Sequence, residues 1–541
     1  MAPIHLDALV VGLGFGGIYQ LKKLRDQGLR VKAIDKATDV GGTWYWNRYP
    51  GAMSDTYSFL YRFSWDHEDL LEYPWNTHYL QGPEILKYLQ HVVNRHDLRK
   101  DMEFATELLA ADWKVSERRW EVRLSTGERL SVRYLVTSLG PLTKTNFPTI
   151  PNLDTFQGKL YHTANWPDDV DLEDKRVGVI GNGSTGVQVI TAIAKADEVK
   201  QLLCFQRNPQ YTVPAGNGVL SRQERQEIND NYTEIWKKAK ESIFALGIEE
   251  SSRPTFSVSA KERELIFEEA WQKGNGFRFM FGTFGDITFD KNANAEAQEF
   301  IRKKIRQTIK DPEKARKLCP TELYARRPLC DSGYYEQFNR ENVDIVDIKT
   351  NPITELTTTG IKMSDGTLHE LDVIICATGF DAVDGSYARI AIKGRNGESL
   401  KARWTKLIPT SYLGIMVPNF PNLFMIGGPN GPYSNYPPVT ETHVEIISEL
   451  IDRTEKAGSD TTVTSAKRCV IEAESDAEDR WTDRCEEISS ASLFQKVDSW
   501  MYGRNVPGKK KAVMFYMGGL GPYRKEVAAL LEDNLKGFQI S

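Results

Sequence analysis

The chain has 541 residues, 40% of them hydrophobic, with 69 Lys and Arg against 74 Asp and Glu and a formal net charge of −5. That length predicts about three or four domains or lobes, and so small a charge gives no reason to expect nucleic acid or an anionic membrane as partner. No apolar run approaches the ~18 residues of a membrane span, no two of the six cysteines form a CxxC pair, and the expected setting is a cytoplasmic protein with reduced thiols and no metal site.

The N-terminus, MAPIHLDALVVG, enters its first strand within a few residues and leaves no room for a signal peptide. Residues 8–11 read as a buried strand that runs into Gly12-Leu-Gly14-Phe-Gly16-Gly17, a GxGxxG turn. Ile18, Leu21 and Leu24 then share a helical face, Gly28 stops the helix, and a second strand at 29–34 ends in Asp35, 23 residues after the first glycine. Strand, helix and acid together specify a dinucleotide. The glycines admit a pyrophosphate to backbone N–H groups, the helix N-terminus adds partial positive charge, and the carboxylate accepts from ribose hydroxyls. Gly41-Gly-Thr43-Trp44-Tyr-Trp46-Asn-Arg-Tyr49-Pro50-Gly51-Ala-Met-Ser-Asp55 follows. Its flat rings suit packing near an isoalloxazine and Asp55 is a charge partner for a cleft; taken alone, the segment also reads as an aromatic surface loop.

A Pro-bearing stretch at 140–151 links this unit to a second one. Residues 175–180 form a strand, Gly181-Asn-Gly183-Ser184-Thr185-Gly186 repeats the fingerprint, and Val187, Ile190 and Ile193 continue on a helix. The next strand, 201–205, ends at Gln206-Arg207: where the first unit has Asp35, this one has Arg207 and no acid. An acid repels a 2′-phosphate and an arginine pairs with it bidentately, so the second site should prefer NADPH to NADH. Opposite charges at two sites imply two dinucleotides, FAD at the first and NADPH at the second.

Residues 221–318 are rich in Glu, Lys, Arg and Gln. Ile228, Tyr232, Ile235, Ala239 and Ile243 predict one amphipathic helix, with Ser221 and Glu224 as its capping box. Ser259 with Glu262 repeats the device, and Ile301, Ile305 and Ile309 mark a third helix. The charges read as the solvated face of a helical insertion. Residues 372–376 form a buried strand, and Gly379 gives a tight exit back to the first unit. The Gly/Pro loop 498–510, basic at Lys509 and Lys510, either covers a bound phosphate or is surface.

Between the two glycine loops lies Phe156-x-Gly158-x-x-x-His162-x-x-x-Trp166-Pro167. It resembles the fingerprint of type I Baeyer–Villiger monooxygenases at every fixed position, and the Gly41 to Asp55 segment is similar to a second signature of that family. The resemblance runs along essentially the whole chain and is closest to the cyclohexanone monooxygenases, through LYARRPLCDSGYYE at 323–336, ICATGFDAVDG at 375–385 and GPNGP at 428–432.

The resemblance implies an α/β fold of two Rossmann-like dinucleotide-binding domains, for FAD and NADP, with the helical insertion in the NADP domain. The expected division is an FAD domain at 1–142 and 381–541, including the C-terminal loop, a linker at 143–155, an NADP domain at 156–220 and 321–380, and the insertion at 221–320. It implies NADPH- and O2-consuming oxidation of ketones to esters or lactones through a C4a-peroxyflavin, by a monomer.

Arg327 occupies the family's active-site arginine position and Asp55 the carboxylate that orients it; without the resemblance, the Arg326-Arg327 pair reads as surface charge. By the same carry-over Gly12, Gly14, Gly16, Gly17, Asp35, Thr43, Trp44, Trp46, Asp55, Thr56, Tyr61 and Leu108 line the FAD. Gly181, Gly183, Ser184, Thr185, Gly186, Gln188, Arg207, Asn208, Arg326, Arg327 and Trp500 line the NADPH. Tyr433, Ser434 and Tyr436 border the ketone pocket, with tyrosines where close relatives more often have Phe and Leu. Phe156, Gly158, His162 and Trp166 form a hinge-like linker, in which His162 is a structural or coordinating residue rather than a general base. The nearest rival reading is a flavin-containing N- or S-oxygenating monooxygenase. A disulfide reductase lacks its cysteine pair, and a nucleotide-binding sensor has no use for Arg327 and Asp55.

Overall fold

The structure, a computed structural model, describes residues 3–459 and 469–541. Its first sheet is built on the expected β-α-β start: strand Ile4–Val11, helix Phe15–Asp26 and strand Val31–Ile34. Ile4–Val11 pairs in parallel with Val31–Ile34 on one side and with Arg129–Thr137 on the other. Strands buried on both faces must be apolar throughout, and Ala8, Leu9 and Val10 are fully buried.

The edge of Arg129–Thr137 is shared. Its first half pairs antiparallel with Arg119–Leu124, and its second half pairs in parallel with Leu423–Met425. The chain therefore returns to this sheet after residue 380, and Ala391–Lys393 also adds to it beside Leu108–Lys114. The long helix Tyr436–Ser459 lies on Phe15–Asp26, where Ser448 accepts from Gln20 Nε2 at Oγ (3.0 Å) and from Gln27 Nε2 at its carbonyl (3.0 Å).

The second sheet has five parallel strands in the order Val343–Asp347, Gln201–Gln206, Arg176–Ile180, Val373–Cys376, Lys159–His162. The fingerprint segment supplies its edge strand, which ends in His162. Gly158 has a packing reason: an added Cβ would stand 2.4 Å from Asp372 O and from the Phe156 ring. Where the chain crosses between sheets, Lys144–Thr145 pairs antiparallel with Phe380–Asp381.

The insertion is helical, but its first helix is two. Arg222–Asp230 carries the Ser221–Glu224 capping box, with both reciprocal bonds present, and Tyr232–Glu241 starts afresh after Asn231, whose φ of −114° leaves the helical range. The apolar stripe holds only on the second piece, where Tyr232, Trp236 and Ala239 are buried, while Ile243 is 38% exposed. Lys291–Thr308 forms the third expected helix and buries Ile301 and Ile305. Between these lies a π-turn, Arg278–Gly282, in the run FRFMFG. Such turns are uncommon and concentrate at functional sites.

Candidate active site

A cavity of about 760 Å³ opens at the carboxyl ends of the parallel strands of the first sheet. Gly12, Gly14, Gly16, Asp35, Thr43, Trp44, Trp46, Tyr61 and Leu108 line it, together with Tyr436 and His162. Helix Phe15–Asp26 begins without a side-chain cap, so its first amides are free to donate to an anion. A Cβ on Gly16 would stand 2.7 Å from Ile426 and 2.8 Å from Ser138 Oγ; only glycine lets the loop lie this close to the sheet. Asp35 accepts from Leu13 N at 2.6 Å and Ala37 N at 2.8 Å, which leaves lone pairs for a ribose. Burial raises its pKa against the pull of those bonds. A glycine cradle, an uncapped helix and a fixed acid fit a flavin dinucleotide. Three of the expected flavin residues stand off the cavity wall: Gly17 is turned to the Gly12 carbonyl, Thr56 is buried with its amide on Ser54 Oγ (3.1 Å), and Asp55 faces the other way.

The second loop repeats the backbone plan. Gly12 N donates to Ile34 O and Gly181 N to Phe205 O, so the structural counterpart of Asp35 is Gln206, with Arg207 one position further. Gln206 Oε1 accepts from Asn182 Nδ2 at 3.1 Å, and Arg207 is exposed. Lys349, distant in sequence, places Nζ 3.0 Å from Asn208 Oδ1 and adds a second cation beside Arg207. Gln188 is engaged elsewhere: it accepts from Tyr49 OH at 2.7 Å and donates to Met53 O at 3.0 Å, joining the second loop's helix to the first domain. Gly51 permits that contact, since a Cβ there would be 2.8 Å from Gln188 O.

Arg327 and Asp55 meet across 272 residues of sequence. Arg327 Nη2 donates to Asp55 Oδ2 at 2.6 Å, and Asn275 Nδ2, from the insertion, holds Asp55 O at 2.9 Å. Burial alone would lower the arginine's pKa, but the carboxylate of Asp55 outweighs it and the net shift is upward. The guanidinium stays a cation at any working pH. Its charge centre is 5.0 Å from the Phe277 ring.

From Phe277 an aromatic wall continues through Phe281 (6.3 Å), Phe244 (4.1 Å from Phe281), Tyr433 (6.4 Å), Phe515 (5.6 Å) and Trp500 (5.7 Å). Among the described residues, the buried hydroxyls of Tyr433 and Ser434 have no hydrogen-bond partner, which leaves both free to meet a polar atom of a ligand. Phe244, Phe277 and Phe281 are absent from the expected site. The FRFMF run at 277–281 was the available signal, hidden inside a segment that its charges marked as surface.

The fingerprint residues do not form one cluster. Phe156 packs into a separate core with Leu160 and Ile374, and Trp166 is buried beside Tyr161 (5.8 Å). His162 faces the crossing, 4.9 Å from Phe147 and 6.3 Å from Phe380. Its Nδ1 accepts from Ala164 N at 3.1 Å.

The sequence profile of the flavin-binding monooxygenase-like family matches residues 7–215. A cyclohexanone 1,2-monooxygenase from Acinetobacter sp is 50% identical over 99% of this chain and 97% of its own length. A Baeyer–Villiger monooxygenase from Pseudooceanicola batsensis is 49% identical over 97% of this chain and 95% of its own. A phenazine N-monooxygenase from Lysobacter antibioticus is 49% identical over 99% and 97%. The crystal structure of cyclohexanone monooxygenase from Rhodococcus sp. Phi1 bound to NADP+ superposes with a TM-score of 0.96 at 52% identity, covering all of both chains. With full-length identity at this level and both dinucleotide loops in place, the chain belongs to the Baeyer–Villiger branch of the flavin-binding monooxygenases.

Proposed function

We propose that this chain oxidises small ketones, cyclic or linear, to esters or lactones, with Arg327 and Asp55 as its catalytic pair. The part-buried ion pair at 2.6 Å, with Phe277 against the guanidinium and Phe281, Phe244 and Tyr433 beyond it, supports the reading. In overall balance, ketone, O2, NADPH and a proton give ester or lactone, NADP+ and water. FAD, when bound, supplies the reduced flavin that activates O2.

The chain's own groups do the rest. Gly12, Gly14, Gly16 and the start of helix Phe15–Asp26 hold the flavin's pyrophosphate, and Asp35 holds a ribose. Gly183, Ser184, Thr185, Arg207, Asn208 and Arg326 hold NADPH, with Lys349 as a further cation for its 2′-phosphate. Arg327 keeps fixed positive charge where negative charge gathers on the substrate oxygen, and Asp55 fixes its direction. The aromatic wall keeps water from one side of the guanidinium, which strengthens that charge. Tyr433 and Ser434 border the ketone, whereas Tyr436 lines the flavin cavity. The free cysteines suit the cytoplasm, and among the described residues no helix is long and apolar enough to cross a membrane.

N-oxygenation is the second reading, favoured by the phenazine N-monooxygenase relative. Arg327→Ala separates the two. Ester or lactone formation should fall at least about a hundredfold while NADPH still bleaches the flavin; retained ester formation overturns the assignment. Oxygenation of an aromatic N-heterocycle that survives in the same variant favours the second reading, since oxygen transfer to nitrogen passes through no tetrahedral alkoxide for Arg327 to stabilise.

A further inference from the structure

Three lysines follow Gly508, and they fare differently. Lys510 Nζ reaches Lys406 O at 3.2 Å and Lys511 reaches Gln495, both at the surface. Lys509 is turned inward, with a side chain 14% exposed, and donates to Asp381 Oδ1 at 2.6 Å and to Asp384 Oδ1 at 2.5 Å. Asp381 belongs to the strand pair Phe380–Asp381 and Lys144–Thr145, the place where the chain crosses between the two sheets. Its other oxygen takes Lys144 Nζ at 2.8 Å. One carboxylate is thus divided between the crossing and the C-terminal loop.

The loop's own fold presents that ammonium. Gly503 has φ of 70°, and a Cβ there would stand 3.3 Å from Lys509 Cδ and Cε, so the lysine stem lies against the glycine. Asn505 Nδ2 donates to Phe380 O at 2.7 Å, and Asn146 Nδ2 donates to Asn505 O at 3.3 Å. At its other end the loop meets the second nucleotide domain, where Arg326 Nε donates to Asp498 O at 3.0 Å.

We propose that Lys509 is a positioning residue: its two ion pairs seat the strap 498–511 on the interdomain crossing, and through that seat set how tightly the second site holds its nucleotide. This rests on the NADPH reading of that site. Without the ammonium, Asp381 and Asp384 face each other with, among the described residues, Lys144 to offset them, and like charges in a half-buried place repel. The strap lifts, and Arg326, still paired with Glu322, loses its bond to the Asp498 carbonyl.

The test uses the full-length, flavin-loaded enzyme, with hydrogen exchange of the strap and NADP+ binding as separate readouts. Lys509→Met keeps the packed stem and removes the charge. It should speed exchange over 498–511 and weaken NADP+ by about tenfold, with flavin content unchanged. Lys509→Arg should recover most of both, and Lys510→Met should change neither. Unchanged affinity in Lys509→Met overturns the proposal, as does an equal effect from Lys510→Met. Wild-type enzyme that takes no NADP+ overturns the nucleotide reading itself, a different result from a wild type and a variant that bind equally well.

Discussion

The two glycine loops share one plan and are finished differently. Gly12 and Gly181 have φ of 102° and 105°, and a Cβ on each would strike a carbonyl after a neighbouring strand, Ser138 O at 2.3 Å and Ala377 O at 2.6 Å. Gly17 and Gly186 press on the carbonyl of the first glycine in the same way. There the likeness ends. The first loop lines a cavity of about 760 Å³ and is tied by its amide to a buried acid. The second has no protein atom within 4 Å of a Cβ at Gly183, and it presents Arg207 to solvent. Loop geometry selects a dinucleotide; the surroundings select how long it stays. A flavin retained through turnover suits the cavity, and a reductant that exchanges suits the exposed loop.

Alanine at the first glycine of each loop is the strongest way to break this comparison. Each change meets a backbone carbonyl at a φ that L-residues avoid, a cost of about 3 kcal/mol or roughly a hundredfold. Gly12→Ala should purify colourless, and Gly181→Ala should stay yellow with NADPH affinity lost. Flavin loss from both would show that the loops are not independent. The next effect is charge: Arg207→Ala should raise KM for NADPH by about 10- to 100-fold through the lost phosphate bonds and leave that for NADH nearly unchanged. Equal effects on both would show that Arg207 does not face the 2′-phosphate and would shift that role to Lys349.

Both loops were legible in the sequence because each is a local motif whose glycines, helix and terminal residue sit within one short stretch. Register was less so. Arg207 stood out as the replacement for Asp35, yet the backbone pairing gives that position to Gln206 and moves the arginine one residue outward, to solvent rather than to the loop. The Arg327–Asp55 pair was legible only through the family resemblance. Nothing local tells that Arg327 and Asp55 meet, because the contact is made by two domains folding together. The insertion was legible only in part, for a related reason. Its charges are where the chain meets water, but the π-turn at 278–282 follows no 3.6-residue period, so its phenylalanines went unassigned. The same period carried one predicted helix straight through Asn231, where the structure breaks it in two.

The smallest effect lies at the wall that the two regions share. His162 ends the edge strand of the second sheet and lines the cavity of the first. Burial pushes its pKa down to about 4, against weaker upward pulls from the carbonyls of Asn146 and Gly379. The native protein therefore holds the ring neutral, while the unfolded chain protonates it near pH 6.5. The stability that goes with the neutral ring is fully present above that value and is lost as the pH falls toward about 4. By pH 6 the loss should be about 1 kcal/mol. Urea unfolding of wild type and His162→Asn at pH 8 and pH 6 reads it directly. Asparagine can still accept from Ala164 N but does not titrate, so its drop between the two pH values should be smaller by that amount. An unchanged drop would mean that the acid sensitivity arises elsewhere, with buried His443, whose pKa burial lowers to about 3, the next residue to replace.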